Sequence, residues 1–169
     1  MAEVLVRAAI RADLPRLTEI YNHYVINTPV TFDLEPYTVE RRTAWFEQFN
    51  VTGRHRLMVA EENGLVVGYA GVTRFRPKAA YDTTVETTIY CSQDATSQGL
   101  GSRLYAALFA AIAGEDVHRL LAGYTMPNAA SAALHQRFGF KPVGVFREVG
   151  RKFGRYWDVA WSERPLRLP

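Results

Sequence analysis

Residues 85–105 read VETTIYCSQDATSQGLGSRLY. Val85, Thr87, Thr88 and Ile89 are β-branched and stiff at χ1, which favours an extended strand. Polar residues 92–98 carry the chain into Gly99-Leu100-Gly101-Ser102, and Leu104, Leu108 and Ile112 then recur at helical spacing. A helix opened by such a loop presents unpartnered backbone N–H groups and the positive end of its macrodipole, which together suit phosphate oxygens. Neither Gly99 nor Gly101 carries a Cβ, so a ligand can approach the main chain closely. A glycine-opened helix without a ligand is an equally ordinary structural feature. Two commoner phosphate loops do not fit. The dinucleotide fingerprint G-x-G-x-x-G needs glycine where Leu104 stands, and a P-loop needs G-K-[ST].

Outward from this stretch, the chain alternates between the two periodicities. Val4–Ala8 reads as a strand, and Asp13 before Leu14-Pro15 reads as a helix cap. Leu14, Leu17, Ile20, Tyr21, Tyr24 and Val25 form one helical stripe that ends in the proline-containing segment 27–36. Thr38 caps a second helix with Val39, Trp45, Phe46 and Phe49 expected on its core side. Strands at 56–61 and 65–73 flank Asn63-Gly64, a strong hairpin signal. A polar stretch at 74–82 precedes the strand at 83–91. A short buried strand at 119–124, a helix at 128–138 stopped by Gly139, and closing strands at 141–149 and 156–164 complete the order β α α β β β α β α β β. Helices interleaved with a mixed, mostly antiparallel sheet predict a three-layer α/β domain.

The chain has 169 residues, 48% of them hydrophobic and 22% charged, which fits one soluble domain and excludes disorder. No apolar run approaches the ~20 residues of a spanning helix. The first residues lack a basic leader, being interrupted by Arg7 and Arg11, and the single Cys91 suits a reducing cytoplasm. Of 20 basic residues only Lys78, Lys141 and Lys152 are lysine. Arginine grips carboxylates and phosphates with a planar fork, so anionic ligands are one reading and codon bias another. With a net charge of +3 and no basic run, nucleic acid is not an expected partner.

Glu86 stands inside a β-branched strand, where a carboxylate is expensive to bury unless it is paired or functional. Strand alternation puts it on one face with Thr88 and Tyr90, and puts Val85, Thr87, Ile89 and Cys91 on the other. It reads either as an edge glutamate meeting an arginine or as a base. Cys91 could in principle form an acyl-cysteine, but no histidine adjoins it in the motif to activate it.

The sequence resembles the GCN5-related N-acetyltransferase (GNAT) superfamily, and within it the phosphinothricin and methionine sulfoximine acetyltransferases. The blocks that carry the likeness span nearly the whole chain: I-R-A-D-L-P at 10–15, T-P-V-T-F at 28–32, G-Y-A-G at 68–71 and Y-D-x-T-V-E at 81–86. They continue with Q-G-L-G-S at 98–102, P-N-A-A-S-A-A-L-H at 127–135 and V-G-x-K-F-G-R-Y-W-D-V at 149–159. The resemblance implies a sheet splayed at an acetyl-CoA site and no metal. The backbone of Ile89, Tyr90 and Cys91 would pair with the pantetheine arm. Residues Ser97, Gln98, Gly99, Leu100, Gly101 and Ser102 would cradle the pyrophosphate, and Asn128 would reach the pantetheine near the thioester. The superfamily loop begins with Gln or Arg, where this chain has Thr96, so main-chain amides are expected to hold the diphosphate.

By the same resemblance, Glu86 is the general base acting through water, on an amine that arrives protonated. A backbone N–H near Ile89 is the oxyanion donor. His135 stands where many members have a tyrosine that protonates the departing thiolate; a packed helix-face histidine beside Phe138 is the other reading. Substrate contacts fall on Phe32, Arg74, Arg76, Lys78, Tyr81, Glu86, Thr87 and Thr88. The family's homodimers place residues 152–157, Lys152 to Trp157, near a shared substrate pocket. The expected reaction is direct acetylation of the α-amine of L-methionine sulfoximine, methionine sulfone or phosphinothricin, in the cytoplasm. Acetylation of a peptide amine and coenzyme binding without catalysis are the alternatives.

Overall fold

The computed structural model describes residues 4–93, 95 and 98–167. In chain order the elements are β1 (Val4–Ala8), α1 (Leu14–Asn27), α2 (Val39–Phe46), β2 (Leu57–Glu62), β3 (Leu65–Arg74), β4 (Thr84–Cys91), α3 (Leu100–Ile112), β5 (Arg119–Thr125), α4 (Ala129–Arg137), β6 (Lys141–Lys152) and β7 (Arg155–Pro165). The strands form one seven-stranded sheet in the order β1-β2-β3-β4-β5-β7-β6. Each neighbouring pair is antiparallel except β4 and β5, which run parallel.

Helices cover both faces, as the pattern predicts. On one face, Leu17 and Ile20 of α1 bury against Leu57, Val59, Val66 and Tyr69, with Trp45 and Phe46 of α2 packed beside them. On the other, Leu104, Leu108 and Ile112 of α3 are fully buried against Ala70, Val72, Val85, Leu120 and Ala122. Each such side chain contributes about 1.5–3 kcal/mol relative to exposure. Among the described residues no helix is long and apolar enough to cross a membrane.

The hairpin at Asn63-Gly64 has both residues at positive φ, 53° and 81°, as its two-residue turn requires. Three local expectations change. Asp13 precedes α1, but its carboxylate does not cap the helix. It takes the Arg7 guanidinium at 2.8 and 2.9 Å and the Ile10 N–H at 2.8 Å, a stronger charge-assisted pairing than a neutral cap. The buried residue of α2 is Arg42 rather than Val39. Finally, β6 and β7 run on to a turn at Phe153-Gly154, with Glu148 at positive φ marking the bulge that hid this continuity.

Candidate active site

The parallel pair is short. Thr84, Val85 and Glu86 pair with Arg119, Leu120 and Leu121, and no further β4–β5 pair follows. Beyond that rung β4 stays on β3 as far as Cys91, while β5 follows β7 through Thr125. The strands therefore diverge into a fork. At its root the Thr87 hydroxyl donates to the Leu121 carbonyl at 3.1 Å. The Ser92 N–H donates to Val67 of β3, so by alternation the backbone groups of Thr87, Ile89 and Cys91 face the fork. Tyr24 confirms that direction by donating its hydroxyl to the Cys91 carbonyl at 2.5 Å.

A cleft of about 610 Å³ opens from the fork on the α3 and α4 side. Ile89 and Cys91 wall it on the β4 side, Gly99, Leu100, Gly101 and Ser102 on the α3 side, and Asn128, Ser131, Leu134 and Arg137 on the α4 side. Gly99 precedes α3 at φ 75°, a conformation that glycine adopts without strain. No side chain caps α3, and the Arg103 N–H is the one that bonds back to Gly99. The N–H groups of the preceding first turn thus face outward with the positive helix end. A Cβ at Gly101 would sit 3.2 Å from Leu134, so glycine lets α4 close on the helix start. Asn128 caps α4, accepting from the Ser131 N–H at 3.0 Å. Ser97, and with it Thr96, lies outside the described residues.

Cys91 lines this cleft, but burial pushes its thiol up to about 11. It is therefore protonated at neutral pH, which disfavours it as a nucleophile. His135 is buried. Its Nε2 meets the Tyr105 hydroxyl at 2.9 Å, its ring stacks on Tyr124, and Phe140 packs across it. Burial holds the imidazole below its ordinary value, with the Ser131 backbone opposing in part. Among the described residues its Nδ1 has no hydrogen-bond partner at ordinary geometry, the Ser131 backbone being the nearest candidate.

Glu86 projects on the opposite, α1 and α2 face, level with Thr73 and Leu121. It is half-buried and makes no hydrogen bond or ion pair among the described residues. Burial raises its carboxyl above the ordinary value, and the nearby Arg76 charge opposes that shift. Thr88 and Tyr90 share this face, and the Tyr90 ring packs on Tyr21, Tyr24 and Tyr69. Thr87 does not share it. It is buried toward Tyr105, at the root of the fork, which sets it apart from the residues expected to touch substrate.

The remaining expected contacts divide. Arg76 is exposed above the Phe75 ring, and Tyr81 packs edge-on to Phe75. Arg74 is held by Asp82 at 2.7 Å, and Lys78 is exposed before the turn Ala79–Tyr81. Phe32 lies on the loop between α1 and α2, pressed flat on Gly150 of β6. That loop is anchored by five hydrogen bonds. Tyr21 bonds Thr31 and Asp33, Asn22 bonds both backbone groups of Tyr37, and the buried Lys152 ammonium donates to the Thr31 carbonyl at 2.8 Å. Lys152 thus turns into its own chain, whereas Phe153 and Tyr156 are exposed.

Four residues important to this arrangement escaped the sequence reading. Tyr24 and Tyr124 carry no signal beyond ordinary periodicity. Gly150 is distant in sequence from Phe32. Arg42 is buried between the Tyr21 and Trp45 rings, at 3.7 and 4.0 Å, with no carboxylate partner among the described residues. Aromatic faces can hold a guanidinium in this way, but charge alone predicts exposure. Nor does any group of three or more His, Cys, Asp or Glu among the described residues sit where it could hold a metal.

The chain matches the acetyltransferase (GNAT) domain family over residues 6–161. It is 56% identical over 167 residues, 98% of each chain, to a phosphinothricin N-acetyltransferase of Streptomyces coelicolor. It is 35% identical over 161 residues to the L-methionine sulfoximine/L-methionine sulfone acetyltransferase of Pseudomonas aeruginosa, covering 95% of this chain and 94% of that one. It superposes with a TM-score of 0.88 and 33% identity on a GNAT superfamily phosphinothricin acetyltransferase from Sinorhizobium meliloti in complex with acetyl-CoA, covering 96% and 88% of the two chains. The chain accordingly belongs to the GNAT acetyltransferases, is an N-acetyltransferase, and counts phosphinothricin and methionine sulfoximine acetyltransferases among its relatives.

Proposed function

We propose that the protein transfers the acetyl group of acetyl-CoA directly to the α-amine of a small amino-acid-like substrate, with L-methionine sulfoximine, methionine sulfone and phosphinothricin as the first candidates. The observation that carries this reading is the fork itself. A cleft lined by backbone donors opens on one face of the sheet, and an unpaired, half-buried glutamate stands at the same fork on the other.

In this reading the helix start at Gly99–Ser102 holds the diphosphate on main-chain amides. The edge of β4 at Ile89 and Cys91 aligns the pantetheine arm, whereas the Tyr90 backbone turns to β3 and drops out of the expected set, and the free amide of Asn128 steadies the arm. The amine enters from the Glu86 face, between the Phe32 wall and the cations Arg76 and Lys78, which suit a carboxylate or an oxidised sulfur or phosphorus head. Glu86, its proton affinity raised by burial, takes the ammonium proton through water. The Ile89 N–H faces the thioester oxygen as negative charge develops there. His135, which lines the smaller space inside the fork, is the candidate donor to the leaving thiolate. The exposed apolar side chains Val143, Phe146 and Val149 of β6, continuous with Phe153 and Tyr156, support a homodimer built on that edge. A cytoplasmic, reducing setting accords with the unpaired Cys91.

The test is coenzyme A release across a panel of amines with acetyl-CoA as donor. Turnover of the sulfoximine, the sulfone or phosphinothricin at least tenfold above that of a peptide N-terminus supports the reading. The reverse order of rates removes the substrate class.

A further inference from the structure

The cleft does not end at Ile89. It shares Val30, Ile89 and Ser131 with a second cavity of about 50 Å³ that occupies the fork itself. Thr87, Tyr105, Gly123, Tyr124 and His135 also line this inner space. Tyr124 lies on the same face of β5 as the buried Leu120 and Ala122 and, with His135, walls the space on the helix side.

We propose that Tyr124 sets the length of acyl group the enzyme transfers, by closing the fork cavity to chains longer than propionyl. This inference rests on the acyl-CoA reading above and adds to it the size of the transferable group. A water molecule's share of liquid volume is about 30 Å³, so the fork holds fewer than two water-sized groups. The methyl of an acetyl group fits, and one further methylene fills the space. The wall has little freedom to retreat. The Tyr124 ring lies against His135 with centroids 5.6 Å apart and planes within 5°. His135 is in turn held by the Tyr105 hydroxyl and backed by Phe140 at 5.1 Å. On the opposite side, Trp161 lies 3.0 Å from where a Cβ on Gly123 would stand, so no space is gained there.

The chemistry balances without any further reactant. The amine lone pair attacks the thioester carbon, the C–N bond forms and the C–S bond breaks. The electron pair leaves on sulfur, and the proton lost by nitrogen is matched by the one gained by the thiolate. Chain length enters only through what the fork accommodates at the carbonyl.

The experiment measures kcat/KM for acetyl-, propionyl-, butyryl- and hexanoyl-CoA with one amine, in the wild type and in Tyr124→Ala, Tyr124→Leu and Tyr124→Phe. A methylene that does not fit a pocket lowers kcat/KM by roughly 10–200-fold, and that step is expected between propionyl and butyryl in the wild type. Tyr124→Ala is expected to raise the butyryl-to-acetyl ratio at least tenfold. Tyr124→Leu, which keeps an apolar contact on His135 should the alanine variant fold poorly, raises it to a smaller extent. Tyr124→Phe keeps the wild-type profile, because size and not the hydroxyl sets the limit. A wild type that uses butyryl-CoA as well as acetyl-CoA overturns the proposal, as does an unchanged profile in both enlarged variants. Absence of turnover with acetyl-CoA and every amine overturns the functional reading itself, whereas acetyl transfer with a flat length profile overturns this inference alone.

Discussion

Gly150→Ala probes the substrate face from a position that does not itself line the coenzyme cleft. A Cβ built at Gly150 falls well inside 3.0 Å of Cδ2, Cε2 and Cζ of Phe32, and the clash is with a ring seated on the backbone. The ring has to withdraw by roughly 1.5 Å to regain ordinary carbon–carbon separation. The loop that carries it is tied down at Thr31, Asp33 and Tyr37, so the strain is not relieved by a simple swing. Overpacking of this kind costs about 1–3 kcal/mol, a fall in melting temperature of roughly 2–12 °C for a chain of this size. A displacement of about 1 Å at a positioning residue can lower the rate by ~10²-fold, so kcat/KM for the amine is expected to drop by ~10–10²-fold. KM for acetyl-CoA is expected to change less than that for the amine, because Ile89 and Gly101 lie across the sheet and Val30 is the residue of this loop that reaches the cleft. Steady-state kinetics with each substrate varied in turn, together with thermal melts, read both quantities. Phe32→Ala supplies the control, since the glycine change should be nearly silent in its background. Equal damage from Gly150→Ala with and without the Phe32 ring would refute the contact as the cause.

Glu86→Gln is expected to lower kcat by ~10²–10⁴-fold and to remove the acid limb of the pH–rate profile. In the wild type that limb lies above the ordinary carboxylate range, because burial raises the Glu86 carboxyl and activity is lost as falling pH protonates it. The raised value carries a stability cost whose sign is opposite to that of a salt bridge. A folded state that holds the proton more tightly loses stability as pH rises through the shifted range, so Glu86→Gln should raise the melting temperature more at pH 8 than at pH 4. At the other end of the sheet, burial raises the Asp13 carboxyl, but the Arg7 fork and the Ile10 amide outweigh it and the net shift is downward. Its stabilisation is present at neutral pH and declines as acid titrates it, so Asp13→Ala should destabilise by about 2–4 kcal/mol at pH 7 and by less as the pH is lowered below the ordinary carboxylate range, read by urea unfolding.

The parts of the site legible in the sequence are those built from neighbours along the chain. Strand, loop and helix from Val85 to Tyr105 declare themselves through β-branching, two glycines and a leucine spacing, and alternation alone assigns Glu86 and Ile89 to opposite faces. The substrate wall is different. Phe32 and Gly150 meet only because β6 folds back across the loop after α1, and nothing local marks that glycine as a seat for a ring. Arg42 misleads a reading by charge, since its solvation by Tyr21 and Trp45 exists only in three dimensions. Asp13 looks like a cap until Arg7 arrives from β1 to claim both oxygens. Thr87 reads as one more β-branched residue, yet its hydroxyl spans the last rung to Leu121.

That rung has one more consequence. The cleft is a seam in the sheet, produced by the order in which strands neighbour one another, and it persists whether or not anything fills it. A catalyst whose mouth is a seam requires no lid to assemble it. Mutations that loosen the three rungs below Thr87 should therefore shift where the strands part and blunt selectivity, since those pairs alone set the mouth's position.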